Sequence, residues 1–173
     1  AGLARLLTPI AKYWICKRAP YIAYEAMEAH GGAGYVEEHP LPRMFRQSPL
    51  NAIWEGSGNV IALDVLRALS RDGAARDALS AELDAVRGTY AALDARMDAL
   101  AALMKTGVGE ADARRFAETA AHCFTAAALI RAGLEPAAEA YVARRIAENA
   151  TTLGAGSAKI DAEWLIGRAG LTA

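Results

Sequence analysis

The stretch that decides the fold is His30 to Asn59, HGGAGYVEEHPLPRMFRQSPLNAIWEGSGN. It holds two glycine-rich turns, Gly31-Gly32-Ala33-Gly34-Tyr35 and Trp54-Glu55-Gly56-Ser57-Gly58, joined by a connector that carries prolines and arginines. One carboxylate, Glu55, sits in the second turn between a tryptophan and a glycine. The chain before this stretch reads as one long helix leading in, and the chain after it reads as helices leading away. A site, if the chain has one, is expected here.

The chain of 173 residues suits one domain with a proper hydrophobic core. Alanine is abundant and favours helix, and there is no run of alternating β-branched residues. The expected class is therefore all-α. With 19 basic and 20 acidic residues the charge is near neutral, which argues against a coat for nucleic acid or an anionic membrane. No membrane span and no signal peptide are apparent. Cys16 and Cys123 lie far apart and read as two reduced thiols in a cytosolic protein. His30, His39 and His122 are too few and too scattered for a metal site.

The chain opens AGLARLL, without a methionine and already helix-like, as a fragment lacking its N-terminal portion would. Thr8-Pro9 offers a helix start, so a helix is expected over about 9–30, kinked or split at Pro20 and closed by Gly31-Gly32. Pro40, Pro42 and Pro49 predict loop over 33–50 with at most short helical turns. A helix is then expected from Asn59 to Leu69, capped by Ser57 or Asn59, with a break over 70–75. Leu79, Leu83, Val86, Tyr90, Leu93, Met97, Leu100 and Met104 recur at steps of 4, 3, 4, 3, 4, 3 and 4, a heptad stripe on one helix. It is either an oligomer seam or the core-facing side of a bundle helix. Further helices are expected over 110–132, 135–153 and 157–168. Arg114-Arg115 and Arg144-Arg145 read as solvated surface pairs.

Local physics leaves the central turn with two readings. An apolar surrounding from Ile53 and Trp54 would raise the pKa of Glu55 and make it a usable general base. Alternatively Glu55 is a helix-start carboxylate favoured by the dipole. The glycines of GGAGY either let backbone N–H groups approach a phosphate or simply end a helix.

The combination is more specific than its parts. Ala11-Lys12, then Gly31-Gly32-Ala33-Gly34-Tyr35, Pro42 with Arg46, and Trp54-Glu55-Gly56-Ser57-Gly58-Asn59 resemble, at this spacing, the C-terminal helical domain of acyl-CoA dehydrogenases. TPIAKYWICKRAP and PLNAIWEGSGNVIALDVLRAL are similar in particular to the AidB-like, adaptive-response branch. The resemblance covers about residues 5–69. The remainder fits that branch's extra helical extension by length and helix content alone. It implies an up-and-down helical bundle, with residues 1–69 carrying the flavin and catalytic loop and 76–173 forming the extension.

The resemblance also implies FAD as cofactor and an acyl-CoA thioester as substrate. Glu55 takes the position of the base that removes the α-proton, its backbone N–H polarising the thioester oxygen. Gly31, Gly32, Ser57 and Asn59 match flavin-contacting positions, and Trp54 and Gly56 flank the acyl site. Two residues depart from the usual pattern. Trp54 stands where tyrosine is common, and Glu28, three residues before the glycine pair, stands where glutamine is common. The implied partners are an N-terminal helical domain and a β-domain of the same protein, in a cytoplasmic homotetramer or homodimer. The chain alone is expected to bind FAD weakly and to lack activity. Other readings remain: a DNA-binding alkylation-response flavoprotein with vestigial catalysis, and a helical oligomerisation module.

Overall fold

The computed structural model describes residues 2–149 and 152–170. Among them every regular element is helical. Helix α1 spans Gly2–Ala29 and runs unbroken through both Pro9 and Pro20. The expected start at Pro9 and split at Pro20 are not found. A proline forfeits one backbone hydrogen bond, but packing holds the helix around it. Leu6, Ile10 and Tyr13, four and three residues apart, form one buried face that brackets Pro9, itself buried. Gly31, at φ 56°, closes the helix in the left-handed conformation.

The connector is more helical than its prolines suggested. A single turn, α2 (Gly32–Tyr35), is followed by α3 (Pro40–Gln47) and a 3-10 turn at Ser48–Ala52. Pro40 and Pro42 fall in the first turn of α3, where helix N–H groups have no intrahelical partner to lose. Helix α4 (Gly58–Arg71) starts just after Ser57. Only Asp72 separates it from α5 (Gly73–Asp84), because the Asp72 carboxylate accepts from the Ala75 N–H at 3.0 Å and restarts the helix at once.

The heptad stripe does not lie on one helix. Helix α5 ends at Asp84, and α6 (Ala91–Thr106) begins after a turn centred on Gly88, at φ 86°. The Asp94 carboxylate accepts from the Gly88 N–H at 3.1 Å, and the Thr89 hydroxyl donates to the Val86 carbonyl at 2.7 Å. Arg-Gly-Thr at 87–89 is the stop that the stripe conceals. The stripe is nonetheless core: Leu79, Leu83, Val86, Leu93, Met97 and Leu100 are all buried within this one chain.

A 3-10 turn at Glu110–Asp112 leads into α7 (Ala113–Arg131). Helix α8 (Glu135–Tyr141) continues as a π-helical segment, Val142–Ala147, on which α6 packs. The helix expected to reach Leu153 thus ends at Ala147, and residues 150 and 151 of that span lie outside the described residues. The last helix, α9 (Ala162–Arg168), begins just after Asp161 instead of at Ser157. Its cap is the Asp161 carboxylate, 2.9 Å from the Trp164 N–H. Ser157 and Ala158 are drawn away instead, donating their N–H groups to Glu148 at 2.8 and 2.7 Å. Residues 171–173 of the expected extension are also outside the described residues.

The chain divides into two compact units, Ala1–Asp77 with Val108–Glu118, and Ala78–Gly107 with Thr119–Ala173. In the first, α1 packs on α4, on the 3-10 turn of Ser48–Ala52 and on α3. In the second, the Arg96 guanidinium donates to the Ile146 carbonyl at 3.2 Å, and Arg131 pairs with Glu82. No described helix is long and apolar enough to cross a membrane.

Candidate functional site

Glu55 occupies the turn between the 3-10 segment and α4, wholly within the first unit. Its φ of 55° is left-handed, a conformation that costs a side-chain-bearing residue about 1–2 kcal/mol. Gly56 comes next at φ 110°, open only to glycine at little cost. Two consecutive residues with positive φ turn the chain sharply and leave Glu55 exposed. Trp54 and Ile53 beside it are 65% and 63% exposed, so this chain does not itself build the apolar surround the sequence suggested.

The turn is tied from below by Lys12. Its ammonium donates to the Trp54 carbonyl and, at 3.3 Å, to the Gly56 carbonyl, the two carbonyls on either side of Glu55. Lys12 lies on α1 between Ile10 and Tyr13, both buried, so its stem starts from a fixed helix.

Ser57 takes the N-cap position of α4 with extended backbone, yet its hydroxyl makes no cap hydrogen bond. The Asn59 side chain accepts from Arg114 Nε at 2.6 Å. Arginine has no acceptor, so the atom facing it must be the amide oxygen, and the Asn59 NH2 remains as a donor. Lys17 and Arg114 stand with Ser57 and Asn59 around an open cleft of about 390 Å³. A Cβ on Gly58 would lie 2.5 Å from the Lys17 side chain, so glycine here lets the lysine cross the start of α4.

The glycines of the first turn divide by role. A Cβ on Gly34 would fall 2.2 Å from the Met27 carbonyl, so Gly34 is needed for packing on α1. Gly31 and Gly32 have nothing within 4 Å of such a Cβ and border open space. Glu28, the unusual carboxylate before them, hydrogen-bonds the Tyr24 hydroxyl, and its charge followed by that bond pushes the tyrosine pKa up. Arg46 forms a two-pronged pair with Glu37, the second prong at 2.9 Å, which holds the Glu37 carboxyl below its usual range.

The structure therefore brings Trp54, Glu55, Gly56, Ser57 and Asn59 together on one turn and helix start. Sequence reading missed what Lys12 and Arg114 do. Lys12 stood in the quoted Ala11-Lys12 pair, but nothing in the sequence signals a bond to a carbonyl 42 residues away. Arg114 read as one of a solvated pair. It bonds Asn59 while Arg115 takes Asp112 at 3.0 Å. Among the described residues no cluster of three or more His, Cys, Asp or Glu is placed to hold a metal ion.

A helical unit whose long first helix ends in a glycine turn and whose exposed glutamate sits in a left-handed turn just before the next long helix describes a known domain. Residues 1–70 match the acyl-CoA dehydrogenase C-terminal domain family. Over 86 residues the chain is 55% identical to the putative acyl-CoA dehydrogenase AidB of Escherichia coli K12, a match covering 49% of this chain and 16% of that protein. Over 70 residues it is 43% identical to acyl-CoA dehydrogenase family member 11 of Caenorhabditis elegans, covering 40% of this chain and 11% of that protein. The solved structure of Caenorhabditis elegans ACDH-11 in complex with C11-CoA superposes with a TM-score of 0.60 at 29% identity, over 75% of this chain and 25% of that one. The structural likeness thus reaches beyond residues 1–70 into the later helices. The chain spans only a minor part of the length of each of these relatives.

Proposed function

We propose that this chain is the C-terminal portion of an FAD-dependent acyl-CoA dehydrogenase, with Glu55 as the base that removes the α-proton of an acyl-CoA thioester. The observation that carries the reading is Glu55 itself. It is an exposed carboxylate on a left-handed turn, anchored from behind at both flanking carbonyls, inside the segment that matches the family.

The residues around the turn fit an anionic dinucleotide. Gly31 and Gly32 leave room for close approach, the Ser57 hydroxyl is not spent on a cap, and Lys17 and Arg114 supply positive charge at the cleft. FAD, when bound, would take up the β-hydrogen as hydride. Glu55 then needs only to accept the α-proton, the C–H electron pair being drawn toward the thioester carbonyl and ending as the Cα=Cβ bond as the β-hydride departs. The Glu55 N–H would donate to that carbonyl oxygen and stabilise the developing charge. Ser57 and Asn59 NH2 would hold the cofactor, and Trp54 would wall the acyl chain at the mouth. The relative solved with C11-CoA supports acyl-CoA as the substrate class. Removing a positioned general base costs about 10²- to 10⁴-fold. In the complete flavin-loaded protein, Glu55→Gln should therefore suppress exchange of the acyl-CoA α-proton with D2O by that factor or more. Exchange at the parent rate would remove Glu55 as the base.

A further inference from the structure

We infer that Lys12 is a positioning residue for this base, aiming the backbone of the Glu55 turn as well as holding it in place. The inference rests on the reading of Glu55 just given and adds a residue to it.

In a trans peptide the carbonyl and the N–H of the next residue point in opposite directions, and no cis bond occurs among the described residues. The Trp54 carbonyl shares its plane with the Glu55 N–H, and the Gly56 carbonyl shares its plane with the Ser57 N–H. Lys12 draws both carbonyls toward α1. Both N–H groups are thereby turned away from α1, outward, on the side where Glu55 is exposed. One ammonium thus orients the peptide before Glu55 and the peptide after Gly56, the first of them carrying the proposed donor to the thioester oxygen.

Two further effects act in the same direction. A charge-assisted hydrogen bond to the Trp54 carbonyl polarises that peptide and makes its N–H a stronger donor. The clamp also bridges the two positive-φ residues, Glu55 and Gly56, whose backbone would otherwise relax toward commoner conformations. Lysine suits this task because its three donors radiate from one atom and reach two carbonyls at once. The base of the clamp is fixed, since α1 packs on both the 3-10 turn before Glu55 and the helix after it.

The test compares Lys12→Met, Lys12→Arg and Glu55→Gln in the complete flavin-loaded protein, by α-proton exchange and by amide hydrogen exchange. Hydrogen bonds from a charged group contribute enough that Lys12→Met should lower the α-exchange rate about 10- to 100-fold, mainly in kcat. Lys12→Arg, keeping a cationic donor on α1, should recover part of that loss. The Ile53 and Trp54 amides, which both donate to the Leu50 carbonyl at 3.0 Å, should exchange faster in Lys12→Met while α4 stays protected. Parent-rate α-exchange and unchanged Ile53 and Trp54 amides in Lys12→Met, with Glu55→Gln inactive, would overturn the role of Lys12 and leave the base reading intact. Parent-rate exchange in Glu55→Gln would instead remove the base reading, and this inference with it. If Lys12→Met loses protection throughout α1 and α4, Lys12→Gln takes its place. A shorter, uncharged amide in place of the ammonium should then loosen the turn alone, and an unaltered turn counts against the clamp.

Discussion

The region from Ile15 to Val60 and the stripe from Leu79 to Leu100 are both rich in large apolar side chains, yet they meet opposite fates. The first leaves Ile15, Tyr21, Ile22, Tyr35, Ile53 and Trp54 exposed, whereas no buried member of the stripe exceeds 4% exposure. Helix α1 shows the contrast within one element. Leu6, Ile10 and Tyr13 fill its buried face, while Ile15 and Ile22, seven residues apart, share an outward one. A helix apolar on both sides is ordinarily covered on both. Apolar pattern therefore records a demand for burial but not which surface meets it. The stripe is satisfied within the chain. The face around the Glu55 turn is left open, as the proposed flavoenzyme requires if substrate and cofactor approach there.

The contrast is broken most directly at the stripe. Leu93→Ala removes a side chain with no exposure and should cost about 2–5 kcal/mol by chemical denaturation. A loss below that range, accompanied by a change in assembly state, would return the stripe to the role of an oligomer seam.

The far end of the second unit should respond to pH. Glu148 accepts from the Ser157 hydroxyl and from the Ser157 and Ala158 N–H groups, with Arg144 at 3.4 Å. The serine hydrogen bond first, then the backbone amides and the arginine, hold its pKa below the usual carboxylate range. A depressed native pKa stabilises the folded form above the unfolded pKa, near 4.3, and that stabilisation is lost as pH falls through the lower native value. Acidification should therefore release the 152–158 segment, read as faster amide exchange at Ser157 and Ala158. Glu148→Gln should show fast exchange there already at neutral pH.

How far each feature could be read from the sequence depends on how local its cause is. Gly31 closes α1 because that signal acts within a turn of its own position, whereas the expected side-chain cap of α4 is not made: the Ser57 hydroxyl makes no cap bond and the Asn59 side chain is taken by Arg114. The stripe was legible as period, and its burial was one of two readings left open. The break at Gly88 was legible in kind but was hidden under a pattern that continued across it. Prolines were misread because position decides their effect. Pro40 and Pro42 start a helix, and Pro9 sits inside one that packing sustains. The contacts that shape the site were beyond reach: Lys12 to the 54 and 56 carbonyls, and Arg114 to Asn59 across 55 residues, depend on the folded arrangement of helices. The shift of the α9 start had a similar cause, since Glu148 captures backbone donors that the sequence assigned to a helix.

The smallest expected effect is also the sharpest discriminator. Ile22 is 57% exposed on the outward face of α1, so Ile22→Ser should change the stability of the 173-residue chain by no more than about 0.5 kcal/mol. A serine in place of Leu93 in the buried stripe would instead remove a packed side chain and add a hydroxyl to an apolar core. If Ile22→Ser instead destabilises by a stripe-like amount, the outward face is covered in solution, and a second copy of the chain is the cover to test. A Tm of the parent chain that rises with protein concentration would then accompany the loss, whereas a concentration-independent Tm and a silent Ile22→Ser leave the face open.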